Sequence, residues 1–112
     1  MKIFISQPMR NKTQDQIESE RSKIMDFARA EYGDDVREIA SYLGPNAKFD
    51  PLECLGLSIQ MMNKADVVIF VPGWEEARGC RIERLCAEMY GKEIVELYFD
   101  GVQYMKLFKQ HV

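Results

Sequence analysis

At 112 residues, with 46% hydrophobic and 29% charged side chains, the chain is long enough for one domain with a modest core and too apolar to be disordered. A net charge of −3 without a basic run argues against non-specific nucleic-acid binding, and no apolar stretch reaches the length of a membrane span. The three cysteines (Cys54, Cys80 and Cys86) have no CxxC spacing, and Met1-Lys2 leads straight into a strand; both fit a reduced cytoplasmic protein with no leader, and the one histidine, His111, leaves little for a zinc site.

Residues 2–5 (KIFI) read as the first strand. Ser6, Gln7, Pro8, Met9 and Arg10 form the loop at its carboxyl end. Ser6, Gln7, Met9 and Arg10 are candidates there for contact with a ligand; the plain alternative is a proline turn whose polar groups face water. A helix over residues 13–32 opens with a capping box, Thr13 and Gln16. Ile17, Ile24, Phe27 and Ala28 give its apolar face; Glu18, Arg21, Lys23, Asp26 and Arg29 read as solvated. Gly33 ends it. Residues 36–40 (VREIA) alternate and suit a strand at a sheet edge. Residues 41–49, with Gly44-Pro45-Asn46, form the longest irregular piece, either a flap over a pocket or a connector.

Asp50, Pro51 and Glu53 signal the start of a helix over residues 51–64, by N-cap, N1 proline and N3 acid. Its expected buried face is Leu52, Leu55, Ile59 and Met62, bordered by Ser58; Leu57 and Met61 lie off that face. Residues 67–71 (VVIFV) are continuously apolar, as in a parallel strand covered on both faces. Pro72-Gly73 closes the strand, and a helix follows over residues 77–90. Ile82, Leu85, Cys86 and Met89 hold the spacing of a buried stripe, and Gly91 sits at the C-cap. Glu83 lies beside that stripe, near the helix start, where the dipole favours an ionised carboxylate. Gly79, one turn below, leaves room for a ligand. An ionised carboxylate facing a crevice can act as nucleophile or base. The plain alternative is a solvated glutamate paired with Arg78 or Arg84. Residues 93–98 (EIVELY) form a further strand. In residues 101–112, Tyr104, Leu107 and Phe108 are spaced for one face of a last helix, packed on the sheet or on another subunit.

This alternation predicts a single α/β domain over residues 1–112. It would be three-layered, a flavodoxin-like parallel sheet of four to five strands with helices on both faces. The second strand would lie outside the first, so the switch point falls between the first and third strands. The loops there are residues 6–11 and 72–77. Neither carries GxGxxG or a P-loop, so no dinucleotide or ATP cofactor is expected.

The block ADVVIF-x-PGWE-x-ARGCRIE, with the opening MKIFISQPMR, resembles a family of small bacterial and phage proteins of unknown function over roughly residues 1–97. That family is similar to the nucleoside 2-deoxyribosyltransferases. In those enzymes the glutamate matching Glu83 attacks C1′ of the deoxyribose. The resemblance therefore implies Glu83 as nucleophile on a nucleoside or nucleotide. Ser6, Gln7, Met9, Arg10, Ser58, Gly73, Trp74, Glu75, Gly79 and Arg81 form the substrate-binding set. The deoxyribosyltransferases have acidic residues at the positions of Ser58 and Ala77; Glu75 or Glu76 could stand in for the latter. Trp74 could cover the base or sugar, or plug the edge of the sheet. Arg10, Arg78 and Arg81 are candidates for a 5′-phosphate.

The first functional reading is thus a transferase or hydrolase of the N-glycosidic bond. Its rival is a non-catalytic nucleotide-binding module using the same crevice. No metal, nucleic acid or membrane partner is expected. A homo-oligomer is, both from the limited core and from the resemblance.

Overall fold

The computed structural model describes residues 1–41 and 50–110. The flap-or-connector expectation for residues 42–49 lies outside the described residues, as does His111. Five strands form one sheet: β1 (Lys2–Ser6), β2 (Arg37–Glu38), β3 (Val67–Phe70), β4 (Glu93–Phe99) and β5 (Tyr104–Gln110). Their order is β2-β1-β3-β4-β5. The first four run parallel, as the alternating strand and helix pattern requires. The switch point therefore falls between β1 and β3.

The tail is a correction. Tyr104–Gln110 is no helix but a strand, antiparallel to β4, with a register shift at Glu96/Leu97. Asp100 turns the chain back by accepting hydrogen bonds from the Val102 and Gln103 amides, both at 2.8 Å. Once β4 offers an open edge, pairing outweighs the helical spacing of Tyr104, Leu107 and Phe108.

Strand alternation sorts the core into two layers. Ile3, Ile5, Val67, Ile69, Val71, Val95 and Leu97 face α1 (Gln14–Tyr32), which contributes Ile24, Met25 and Ala28. Phe4, Val68, Phe70 and Ile94 face the other way, with Met62 of α2 (Pro51–Met62) and Ala87 of α3 (Arg78–Met89). No helix among the described residues is long and apolar enough to cross a membrane.

Both ends of α1 form as the sequence implies. Thr13 Oγ1 accepts from the Gln16 amide at 3.1 Å, and Gln16 Oε1 accepts from the Thr13 amide at 2.8 Å. The Gly33 amide donates to Arg29 O at 2.9 Å. By contrast, the Asp50 side chain makes no capping bond at the start of α2. At the end of α3, Gly91 takes φ 73°, and the Lys92 amide reaches back to Ala87 O at 2.9 Å.

The helix faces depart most from the expectation. Along α1, Arg21 is buried, not solvated. On α2, Leu52 is 78% exposed, while Leu55 and Ile59 are half-buried. On α3, the residues turned inward are Cys80, Glu83 and Ala87. Ile82, Leu85 and Met89 face outward, at 37%, 55% and 72% exposure. Phe70, Trp74 and Arg84 pack together where α3 meets the sheet. The Arg84 guanidinium lies 5.8 Å from the Phe70 ring, 5.7 Å from Trp74 and 5.7 Å from Phe108, and bonds Glu96 at 3.0 Å.

The α1 cap gives a direct check on this account. Thr13→Ala removes the hydroxyl that accepts from Gln16 and should cost about 1 kcal/mol. Thermal or urea unfolding should show that loss, with Thr13→Ser close to wild type.

Candidate functional site

The alternation of β1 decides what meets what at the switch point. Ser6, in phase with Phe4, faces α3. Its hydroxyl donates to Glu83 Oε1 at 2.7 Å. Ser6 is 1% and Glu83 7% exposed. The solvated alternative for Glu83 is therefore wrong, and so is its pairing with arginine: Arg84 bonds Glu88 and Glu96 instead.

The electrostatics also differ from the expectation of an ionised carboxylate. Burial pushes the Glu83 carboxyl above its ordinary range, and the Ser6 hydrogen bond and the Arg21 charge only partly draw it back. Beside it, burial pushes the Cys80 thiol up to about 11, although Ser6 hydrogen-bonds it. A thiol so disposed is not a nucleophile at neutral pH. The Ser6, Cys80, Glu83 cluster thus holds one carboxyl, hydrogen-bonded at Oε1, and one thiol.

The loops after β1 and β3 do meet. The Val71 amide donates to Ser6 O at 3.0 Å. Gly73 takes φ 92°, and a Cβ on it would stand 3.8 Å from Pro8 Cγ. Trp74–Glu76 follows as a single 3-10 turn into α3.

Other members of the expected set are placed differently. Gln7, in the opposite phase, faces α1: it donates to Ile17 O at 3.1 Å and to Glu20 Oε1 at 2.7 Å, and accepts from Arg21 Nε at 2.8 Å. Its carboxamide thus holds the loop to the helix. Trp74 is half-buried, its ring 5.6 Å from that of Phe70 and under Arg84, so it sits as a plug at the sheet edge. A Cβ on Gly79 would point to Leu55 Cδ1 of α2 at 4.0 Å, not toward Ser6. Met9 and Ser58 are half-buried; Arg10, Glu75, Arg78 and Arg81 are exposed.

Two side chains near the site were not among the candidates read from the sequence. Arg21 is 5% exposed. It falls at the i, i+4, i+7, i+11 spacing of Ile17, Ile24 and Ala28, a position in the buried stripe that its charge disguised. Cys80 lies on the same inward line of α3 as Glu83 and Ala87; only the choice of stripe hid it.

Comparison with known proteins extends this picture. No curated protein matches the sequence. Among solved structures, one described as a conserved protein from Enterococcus faecalis V583 superposes with a TM-score of 0.62 at 17% identity, over 89% of this chain and 64% of that one. This likeness is one of fold, and the chain spans under two thirds of that protein's length. The family described as a domain of unknown function, DUF4406, matches residues 1–96. That span holds both loops, Ser6 and Glu83, and stops within β4. On this match the chain belongs to the DUF4406 family.

Proposed function

We propose that the protein cleaves the N-glycosidic bond of a deoxynucleoside or its 5′-monophosphate, with Glu83 as the nucleophile. The observation that carries this reading is the buried Ser6–Glu83 pair, 2.7 Å apart, at the carboxyl ends of the strands flanking the switch point. Ser6 engages Oε1 and orients the carboxylate, so Oε2 is the attacking atom. A C1′–Oε2 bond forms as the C1′–N bond breaks, and the base leaves with the electron pair. Water, or the nitrogen of a second base, then attacks C1′ and releases Glu83 as a carboxylate. The two-step logic is that of retaining glycosidases. The resemblance to the deoxyribosyltransferases supports the same reading.

A binding module is the second reading. Ser58 and Ala77, at positions where the transferases carry acids, favour it. The discriminating measurement is free base released from a panel of deoxynucleosides and their 5′-monophosphates, read by chromatography beside calorimetric binding. Binding without release supports the module.

We also propose self-association through α3. Its outward stripe of Ile82, Leu85 and Met89 continues into Tyr90, which is 82% exposed. Arg78 and Arg81 flank the stripe at one end and Glu88 at the other, all exposed. A second copy laid antiparallel about Leu85 buries both stripes and sets the basic end of each helix against the acidic end of its twin. Leu85→Lys should then yield a monomer by light scattering. A wild-type protein that is already monomeric across micromolar concentrations would exclude this interface.

Glu83→Gln tests the nucleophile and its energetics together. The amide keeps the shape and can accept from Ser6 but cannot attack, so base release should fall by at least about three orders of magnitude. Wild-type turnover in this variant would remove Glu83 from the mechanism. Glu83→Ala is less clean, because the side chain fills buried space.

Stability should move the opposite way. The folded-state carboxyl titrates above its ordinary value of 4.5. Its contribution to stability is thus fully present below that value and is lost as pH rises through the raised one. At neutral pH, Glu83→Gln should therefore be more stable than wild type. That gain should vanish below pH 4.5 in a series of thermal melts.

A further inference from the structure

Within the described residues, one buried carboxylate and one buried cation occur, Glu83 and Arg21. They lie on opposite faces of the same strand end. Ser6 carries the contact to Glu83, and its neighbour Gln7 carries the contact to Arg21. The Arg21 guanidinium also donates to Ile5 O at 3.4 Å, to Ser41 Oγ at 3.0 Å and to Glu38 Oε2 at 2.8 Å. One side chain of α1 thereby fixes the last residues of β1 and the exit of β2.

We propose that Arg21 is a positioning residue of the Glu83 site, which sets the Ser6–Gln7 strand end in place and puts a positive charge across that strand end from the Glu83 carboxylate. This rests on the reading of Glu83 as the reacting group. It goes beyond that reading in giving a role to a residue on the far side of the sheet.

The geometry makes both parts of the role plain. Gln7 is committed on every side: Arg21 holds its carbonyl oxygen while Ile17 and Glu20 hold its amide. Glu20 is itself held by Lys12 at 2.8 Å and by the Tyr104 hydroxyl at 3.1 Å. The strand end cannot rotate Ser6 away from Glu83 without breaking this set. As for charge, the groups bearing on Glu83 are Ser6 from β1 and Arg21 from α1, with the Cys80 thiol of its own helix beside it. At Gly79, one turn back along α3, α2 presents the apolar Leu55. Arg21 is thus the one cation among these groups, and its pull on the Glu83 carboxyl comes after burial and the Ser6 hydrogen bond. Its partner Glu38 is partly solvated, with 32% of its side chain exposed.

The test is the titration of Glu83, followed by carbon-13 NMR of the glutamate carboxyls in the full chain, with Glu83→Gln to assign the resonance. Arg21→Gln removes the charge and keeps an amide in place. The Glu83 midpoint should rise by about half a unit or more. Arg21→Lys should leave it near wild type. Glu38→Gln frees Arg21 of its counter-charge and should lower the midpoint. The signs separate this role from a merely structural one. Loosening the packing would admit water to Glu83 and lower its midpoint in Arg21→Gln, whereas loss of the cation raises it.

An unchanged or lowered midpoint in folded Arg21→Gln overturns the proposal. If Arg21→Gln does not fold, Glu38→Gln decides, and an unchanged or raised midpoint there overturns it. Where base release is measurable, the acid limb of its pH profile should move with the same signs. Failure of the wild type to release base would defeat the catalytic reading and leave the titration test intact.

Discussion

A carboxylate taken out of water at the end of a parallel strand is the constraint around which the rest of this molecule is arranged. Burying Glu83 is unfavourable unless its charge is met by hydrogen bonds or by a cation. The Ser6 hydroxyl meets one oxygen at 2.7 Å. That single contact requires Ser6 to be the residue in phase with Phe4, and α3 to turn Glu83 inward. It also requires the two loops at the switch point to pack together, which Gly73 permits by taking a left-handed backbone beside Pro8. Each requirement is local, and each fails if the register of β1 slips by one residue.

The orientation of α3 follows from the same constraint. A helix whose leucine and isoleucine faced the sheet would stand further away and carry Glu83 out of reach of Ser6. With Cys80 and Ala87 inward, it comes close enough, and Arg84 fills the remaining space beneath Trp74 and Phe70. The consequence is an apolar stripe left on the outside. The helix therefore has two faces with separate duties, one toward the strands and one toward whatever covers Ile82, Leu85 and Met89.

Most of the architecture was legible in the sequence. The β-branched runs, the Thr13 capping box, the N1 proline and Gly91 locate the strands and helices to within a residue or two, and the α/β alternation fixes their order. What periodicity could not say is which side of an amphipathic helix meets the sheet. On α3 the stronger stripe pointed outward, so Cys80 was missed and Glu83 was placed at the edge of the stripe instead of on the inward face. In the tail, helical spacing was real but lost to the open edge of β4, a long-range partner that no local window contains. Arg21 shows the opposite failure: its spacing was correct for burial, and its charge argued against it.

The site itself joins these points. Ser6 and Gln7 are adjacent in the chain, and strand geometry sends them to opposite layers. One therefore binds the carboxylate and the other the arginine. Neither helix could supply both groups, because α1 and α3 never share a face of the sheet. A mostly parallel sheet solves this at one strand end, where alternation delivers a hydroxyl to one layer and an amide to the other within a single peptide step. The burial that raises the Glu83 carboxyl and the cation that draws it back are then set by different helices. Each can be altered without redesigning the other. That separation allows the titration of a buried acid to be set while the core around it stays intact.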